Sequence, residues 1–116
     1  MIRPATDGDA TGIARIYNHF VRTSVVTFEE ETVSDSEMAG RDHDVQSADL
    51  PWLIADEEGH IAGYAYAGKW KGRSAYRFTV ESSVYLDPAC AGRRLGTTLY
   101  EHLLRILHEK GIHTVI

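Results

Sequence analysis

The chain is short of cysteine, of basic residues and of long apolar runs, and each shortage removes a class of function. A single cysteine, Cys90, in 116 residues rules out an internal disulfide and with it a disulfide-stapled scaffold; a reducing compartment fits. Twelve Lys and Arg stand against seventeen Asp and Glu, a net charge of -5, which argues against a nucleic-acid-binding surface and still leaves room for a local basic patch. No apolar run approaches the ~18–20 residues that span a bilayer, and no charged segment followed by an apolar one opens the chain. No membrane partner and a cytoplasmic location are therefore expected. Repeats and low-complexity tracts are also absent. What is present is a globular composition, 43% hydrophobic and 25% charged. A chain of this length can bury roughly 60–70% of its unfolded surface, so residues 1–116 are read as one domain.

The stretch from Arg77 to Gly96 places a strand, a glycine-bearing loop and a helix start in succession. Val80, Val84, Tyr85 and Leu86 form a β-branched and aromatic run that Asp87-Pro88 stops. Leu95, Leu99, Tyr100, Leu103, Leu104, Ile106 and Leu107 then recur at helical spacing, and Gly111 ends the helix. Such a junction offers unpaired backbone N–H groups at the positive end of a helix, and Arg93 and Arg94 add two cations, so a phosphate-bearing ligand fits. Gly92-x-x-x-Gly96 is neither the nucleotide P-loop, which needs Lys-Ser or Lys-Thr after its last glycine, nor G-x-G-x-x-G. On the residues alone, an ordinary strand-to-helix connection stays open beside the anion site.

The coarse layout reads strand, helix, helix, strand, strand, strand, helix, strand. Ile2-Arg3-Pro4 opens as a strand. Thr6, with Asp9 three residues on, caps a helix that gathers Ile13, Ile16, Tyr17 and Phe20 on one face. Ser34 and Glu37 make a capping box for a second helix, with Thr23 to Thr32 as an ordered loop between the two. Trp52 to Ala55 and Ile61 to Ala67 form a hairpin around a turn at Asp56 to His60. Tyr76 to Leu86 pairs next, a helix runs from about Gly92 to Lys110, and His113 to Ile116 begins a last strand.

Three segments resemble the GNAT superfamily of N-acetyltransferases, in its phosphinothricin (methionine sulfoximine) acetyltransferase branch: I-R-P-A-T-D-G-D-A with I-A-R-I-Y-N (Ile2 to Asn18), T-V-E-S-S-V-Y (Thr79 to Tyr85), and the Asp-Pro loop leading to Gly92 and Gly96. The resemblance implies an α/β (α+β) fold, a GNAT-like mixed, mostly antiparallel central sheet flanked by helices. It also implies transfer of an acetyl group from acetyl-CoA to the primary amine of a small amino-acid analogue. The family's pyrophosphate loop reads Gln or Arg, two residues, Gly, one residue, then Gly or Ala; here those positions hold Ala91, Arg94 and Gly96. Gly92 matches a second glycine of the branch. Arg94 stands where glycine gives closest approach to pyrophosphate, and an arginine there can pair with phosphate. The cofactor contacts implied are Val84, Tyr85, Leu86, Gly92, Arg93, Arg94, Leu95, Gly96 and Thr97. In the family the strand ending near Leu86 splays from the one beginning near His113, and its freed backbone groups pair with the pantetheine arm. Family members continue past the position of Ile116 with the rest of that strand, a helix and a hairpin, carrying a tyrosine that protonates the thiolate and a histidine near the site. A C-terminally truncated product, a partial sequence and a sheet completed by a partner chain stay open, and an open sheet edge favours a homodimer.

By the same resemblance Glu81 is the general base, taking a proton from an alkylammonium of pKa about 10 directly or through a water, with burial expected to raise its pKa toward neutrality. Read locally, it is a solvated strand charge. A backbone N–H at Val84 or Tyr85 would stabilise the oxyanion. Arg77 and Thr79, with Tyr76 and Arg73 behind them, are the expected substrate donors, and Phe28, Glu29 and Glu30 lie in the loop that approaches the acceptor. No metal is expected. His102 and His108 fall on different helix faces, the other histidines show no ligand spacing, and none has a sequence-defined place beside Cys90, which is read as no nucleophile. Trp52 and Trp70 are read as core and rim. A second reading is a truncated or degenerate GNAT-like module that binds CoA weakly or acts through protein association. Within the enzyme reading, methionine-type analogues, a protein N-terminus and a polyamine are all open as acceptors.

Overall fold

The computed structural model describes residues 1–23, 31–69, 79–90, 94–112 and 114–115. Along the chain run β1 (Ile2–Pro4), a 3-10 turn (Asp7–Asp9), α1 (Ala10–Thr23), α2 (Asp35–Ser47), β2 (Trp52–Glu57) and β3 (His60–Lys69). β4 (Thr79–Leu86), a second 3-10 turn (Pro88–Cys90), α3 (Leu95–Glu109) and β5 (Thr114–Val115) follow. The strands form one sheet in the order β1-β2-β3-β4-β5, antiparallel except for the parallel β4–β5 pair. The mixed, mostly antiparallel sheet is as expected.

Because side chains alternate along a strand, each face of the sheet has its own core. Leu53, Ala55, Ala65, Ala67 and Val80 pack beneath Leu99, Leu103 and Leu107 of α3. Trp52, Ile54 and Tyr64 on the other face pack beneath Ile13, Ile16 and Tyr17 of α1 and Met38 of α2. Ala62 is an extra residue in β3, since Ala55 lies opposite Gly63 while Asp56 lies opposite Ile61. The bulge reverses the alternation at that point, so Ile61 packs in the α1 core and Ala62 in the α3 core, the opposite of what the phase of Ala65 and Ala67 would give.

Polar side chains fix how the elements start. Asp9 accepts from the Thr6 N–H at 2.8 Å and takes a two-pronged bond from the Arg3 guanidinium, each prong 2.8 Å. Arg3 Nε also donates to Asp56 at 2.9 Å, so one guanidinium joins β1, the start of α1 and the end of β2. It holds the Asp9 carboxyl below the usual carboxylate range. Ser34 caps α2 by accepting from the Glu37 N–H at 3.1 Å. Asn18 brackets Val33 with bonds of 2.8 and 2.7 Å, returning the chain to α2.

Two boundaries depart from the sequence reading. The β2–β3 turn is only Glu58-Gly59, with φ of 54° and 88°, the pair of positive values that matches the strand twist of a two-residue hairpin. α3 starts at Leu95 rather than near Gly92 because Arg94 adopts φ 58°, ψ 17°, a left-handed conformation that cannot continue a helix.

Candidate functional site

β4 organises the site. Val80, Val84 and Leu86 face α3, whereas Tyr85 faces α1, so alternation puts Glu81 and Ser83 on the α1 side with Tyr85. Tyr85 is held there by rings: it stacks on Tyr64 at 5.3 Å and meets Tyr17 edge-on at 5.6 Å and Phe20 at 5.5 Å. Glu81 lies opposite Gly68, which has no side chain to cover it, and its carboxylate is exposed. The expected burial of Glu81 is thus not provided by the described residues.

Among the described residues β5 pairs with Thr79 and Val80, and no strand partner lies beside Val84 and Leu86 on the other edge of β4. The Asp87 N–H donates to Ala62 O at 2.9 Å, so ladder alternation turns the N–H and C=O of Tyr85 toward β3 and those of Val84 and Leu86 toward that other edge. Of the two expected oxyanion donors, Val84 faces that edge and Tyr85 is committed to the ladder.

The strand leads directly to the N-terminus of α3. The first intrahelical bond is Thr98 N–H to Arg94 O at 3.1 Å, which leaves the N–H groups of Leu95, Gly96 and Thr97 with no carbonyl acceptor among the described residues. Arg94 is exposed beside them, and Gly96 sits over Leu86, where an added Cβ would come within 3.4 Å of Leu86 Cδ1. A β4 edge whose outward peptide groups at Val84 and Leu86 have no strand partner among the described residues, followed by a helix N-terminus, fits a long ligand that is extended at one end and anionic at the other, as acetyl-CoA is.

Several expected residues lie outside the described residues: Phe28, Glu29, Glu30, Trp70, Arg73, Tyr76, Arg77, Ala91, Gly92 and Arg93. Thr79 opens β4, with only its backbone described.

A second polar group closes the far end of β4, and spacing did not reveal it. Asp87 accepts from Arg15 of α1 at 2.9 Å, from the Ala89 N–H at 3.0 Å, and faces His60 Nε2 at 3.1 Å. Arg15, then burial in the opposite sense, then the Ala89 N–H set its carboxyl below the usual range. Buried Cys90 completes the group, the donor atoms of His60, Asp87 and Cys90 all lying within 4.8 Å of one another. No linear spacing brings a histidine to Cys90, because His60 lies 27 residues before Asp87 and reaches it through β3–β4 pairing. The Asp87-Pro88 strand stop was the one local cue.

The chain matches the model of the Acetyltransferase (GNAT) family over residues 13–116. It is 43% identical over 115 residues to the phosphinothricin N-acetyltransferase of Streptomyces viridochromogenes, covering 99% of this chain and 62% of that protein. It is 33% identical to an L-methionine sulfoximine/L-methionine sulfone acetyltransferase of Salmonella typhimurium, covering 99% and 67% respectively. Among solved structures, the GNAT superfamily phosphinothricin acetyltransferase of Sinorhizobium meliloti in complex with acetyl-CoA superposes with a TM-score of 0.94 at 36% identity, over 99% of this chain and 63% of that one. The chain therefore spans less than two thirds of the length of the Streptomyces relative. A mostly antiparallel sheet whose β4 pairs with β5 at Thr79 and Val80, a left-handed residue before α3 and a family match over residues 13–116 converge on one statement: this chain belongs to the GNAT acetyltransferase family.

Proposed function

We propose that this chain forms the acetyl-CoA-binding part of an N-acetyltransferase that acts on the primary amine of a small amino-acid analogue of the phosphinothricin or methionine sulfoximine type. The observation that carries the reading is the β4 edge at Val84 and Leu86 running into the N–H groups of Leu95, Gly96 and Thr97, none of them with a backbone partner among the described residues. The named activities of the Streptomyces and Salmonella relatives support the acceptor class. A cytoplasmic, homodimeric protein without nucleic-acid or membrane partners belongs to the same proposal. No described helix is long and apolar enough to cross a membrane.

In this reading acetyl-CoA supplies an acetyl thioester, and the chain supplies position and proton transfer. Leu95, Gly96 and Thr97 donate their N–H groups to the pyrophosphate, with Arg94 as a cation beside it. Val84 and Leu86 pair through their backbones with the pantetheine arm, and the outward Val84 N–H donates to the thioester oxygen as negative charge grows there. Glu81 takes the proton that the ammonium must lose before its nitrogen can attack, through a bridging water where the carboxylate stays exposed. Phe28, Glu29, Arg77 and Thr79 contact the acceptor.

The test joins calorimetry with rate measurement. Acetyl-CoA is expected to bind saturably at about one site per chain. Glu81→Gln is expected to leave that binding intact and to lower kcat by roughly 100-fold or more, the scale of a lost general base. Unchanged acetylation by Glu81→Gln at pH 7 to 8 would defeat the base assignment, and absent acetyl-CoA binding would defeat the larger reading.

A further inference from the structure

The geometry points to a zinc-binding site formed by His60, Asp87 and Cys90 at the end of the sheet where β4 turns toward α3. The three residues supply an imidazole nitrogen, a carboxylate oxygen and a sulfur, the donor set of a borderline-soft divalent cation rather than of calcium or magnesium. They come from three places, the first residue of β3, the residue after β4 and the end of the second 3-10 turn, so a shared ion would tie these together.

The distances are near those a metal requires. His60 Nε2 and Asp87 Oδ2 are 3.1 Å apart, which for metal bonds of about 2.0 Å is an angle of about 100°, close to tetrahedral. The sulfur lies within 4.8 Å of both partners, and a tetrahedral centre with a sulfur bond of about 2.3 Å needs separations of about 3.5 Å. Closing that gap calls for a turn of the Cys90 side chain and a shift of the exposed His60 ring. A fourth position is left for water.

Arg15 is the obvious competitor, since it occupies Asp87 Oδ2 at 2.9 Å. Its side chain is 48% exposed, and it already has a second acceptor in Ile61 O at 3.2 Å, so it can swing away toward solvent when a cation arrives. Asp87 Oδ1 keeps the Ala89 N–H throughout. Binding breaks the S–H bond of Cys90, releases that proton to solvent and forms a metal–thiolate bond, with no change of oxidation state.

The site is remote from the proposed base, since Glu81 lies six residues up β4 from Asp87, about 20 Å along an extended strand, but it adjoins Leu86 and the α3 entry of the proposed acetyl-CoA site, so the ion would be structural or regulatory. Its position just before the α3 entry makes the 3-10 turn the element it would hold.

The metal-free, reduced chain is titrated with Co2+ and then with Zn2+. The expected result is one Co2+ per chain with a thiolate charge-transfer band, displaced by Zn2+. His60→Ala, at an exposed position, should weaken binding by more than ~10-fold, and Cys90→Ser should remove the band. Arg15→Gln should tighten binding by about tenfold, because a cation beside the divalent ion is gone. Absence of a charge-transfer band, or Co2+ affinity unchanged in His60→Ala, overturns the site. Thermal melts of each metal-free variant establish that it is folded, and no acetylation is read at any step.

Discussion

Gly63→Ala should cost stability while Gly40→Ala should add it, although the chemical change is the same methyl group. Gly63 lies opposite Leu86 in the β3–β4 ladder, and a Cβ there would come to 2.7 Å from Leu86 Cδ2, 2.9 Å from the Tyr85 carbonyl oxygen and 3.3 Å from Leu99 Cδ1. The two leucine ends can turn aside, but the carbonyl moves only if β4 moves. Overpacking of this kind costs about 1–3 kcal/mol, and the relief of glycine's chain entropy returns about 0.5–1 kcal/mol. The net is about 1–2 kcal/mol, or a fall of roughly 4–8 °C in Tm for a chain of this size. Gly40 is exposed on α2, and a Cβ there meets nothing within 4 Å, so only the helix-propensity gain of about 0.5–1 kcal/mol remains. Thermal melts followed by circular dichroism measure both. If Gly63→Ala melted at or above the parent, the close approach of β3 and β4 at Leu86 would be refuted.

Other consequences can be measured on the same material. Tyr64 is fully buried with its hydroxyl unpaired among the described residues, and burial pushes that hydroxyl's pKa upward; Tyr64→Phe should gain about 1 kcal/mol in urea unfolding, and a loss would expose a hidden partner. Because Arg3 depresses the folded-state pKa of Asp9 and Asp56, their contribution is fully present above the ordinary carboxylate value near 4 and is lost as pH falls through the lower folded values. Asp9→Asn should therefore lose roughly 1–3 kcal/mol at pH 7 and show a shallower decline of stability below pH 4 than the parent; parallel declines would sink the account. Arg94→Gly removes a left-handed strain of about 1–2 kcal/mol against a glycine entropy cost of about 0.5–1 kcal/mol, so its ligand-free Tm should rise by a few degrees. A lower Tm would mean that the Arg94 side chain supports the fold.

Periodicity and capping made most of the elements legible. Ile13, Ile16 and Tyr17 are buried as their spacing in α1 implied, Leu99, Leu103 and Leu107 likewise in α3, and Ser34 caps α2. What escaped was conformation that residue type does not announce. Nothing about an arginine signals a left-handed backbone, so the apolar spacing puts the start of α3 three residues early, and a glutamate at φ 54° gives no sign of the tightness of the β2–β3 turn. Glu81 was visible as a candidate, but its exposure depends on having Gly68 across the ladder, which is a matter of register. The meeting of Arg15, His60, Asp87 and Cys90 is assembled by the packing of α1 on the sheet and the pairing of β3 with β4, and no linear pattern encodes it.

The alternation along β4 has a consequence for how such a protein can change over time. Every second peptide unit of the strand is spent on the ladder, and those between are offered outward at Val84 and Leu86 as groups that every amino acid except proline carries in full. What a visiting molecule meets along that edge is set by strand pairing and very little by side-chain chemistry. Side chains there are free to drift with the needs of the two cores while the pattern of donors and acceptors stays the same. A chain that shares only a third of its residues with a Salmonella relative can thus present the same edge to solvent.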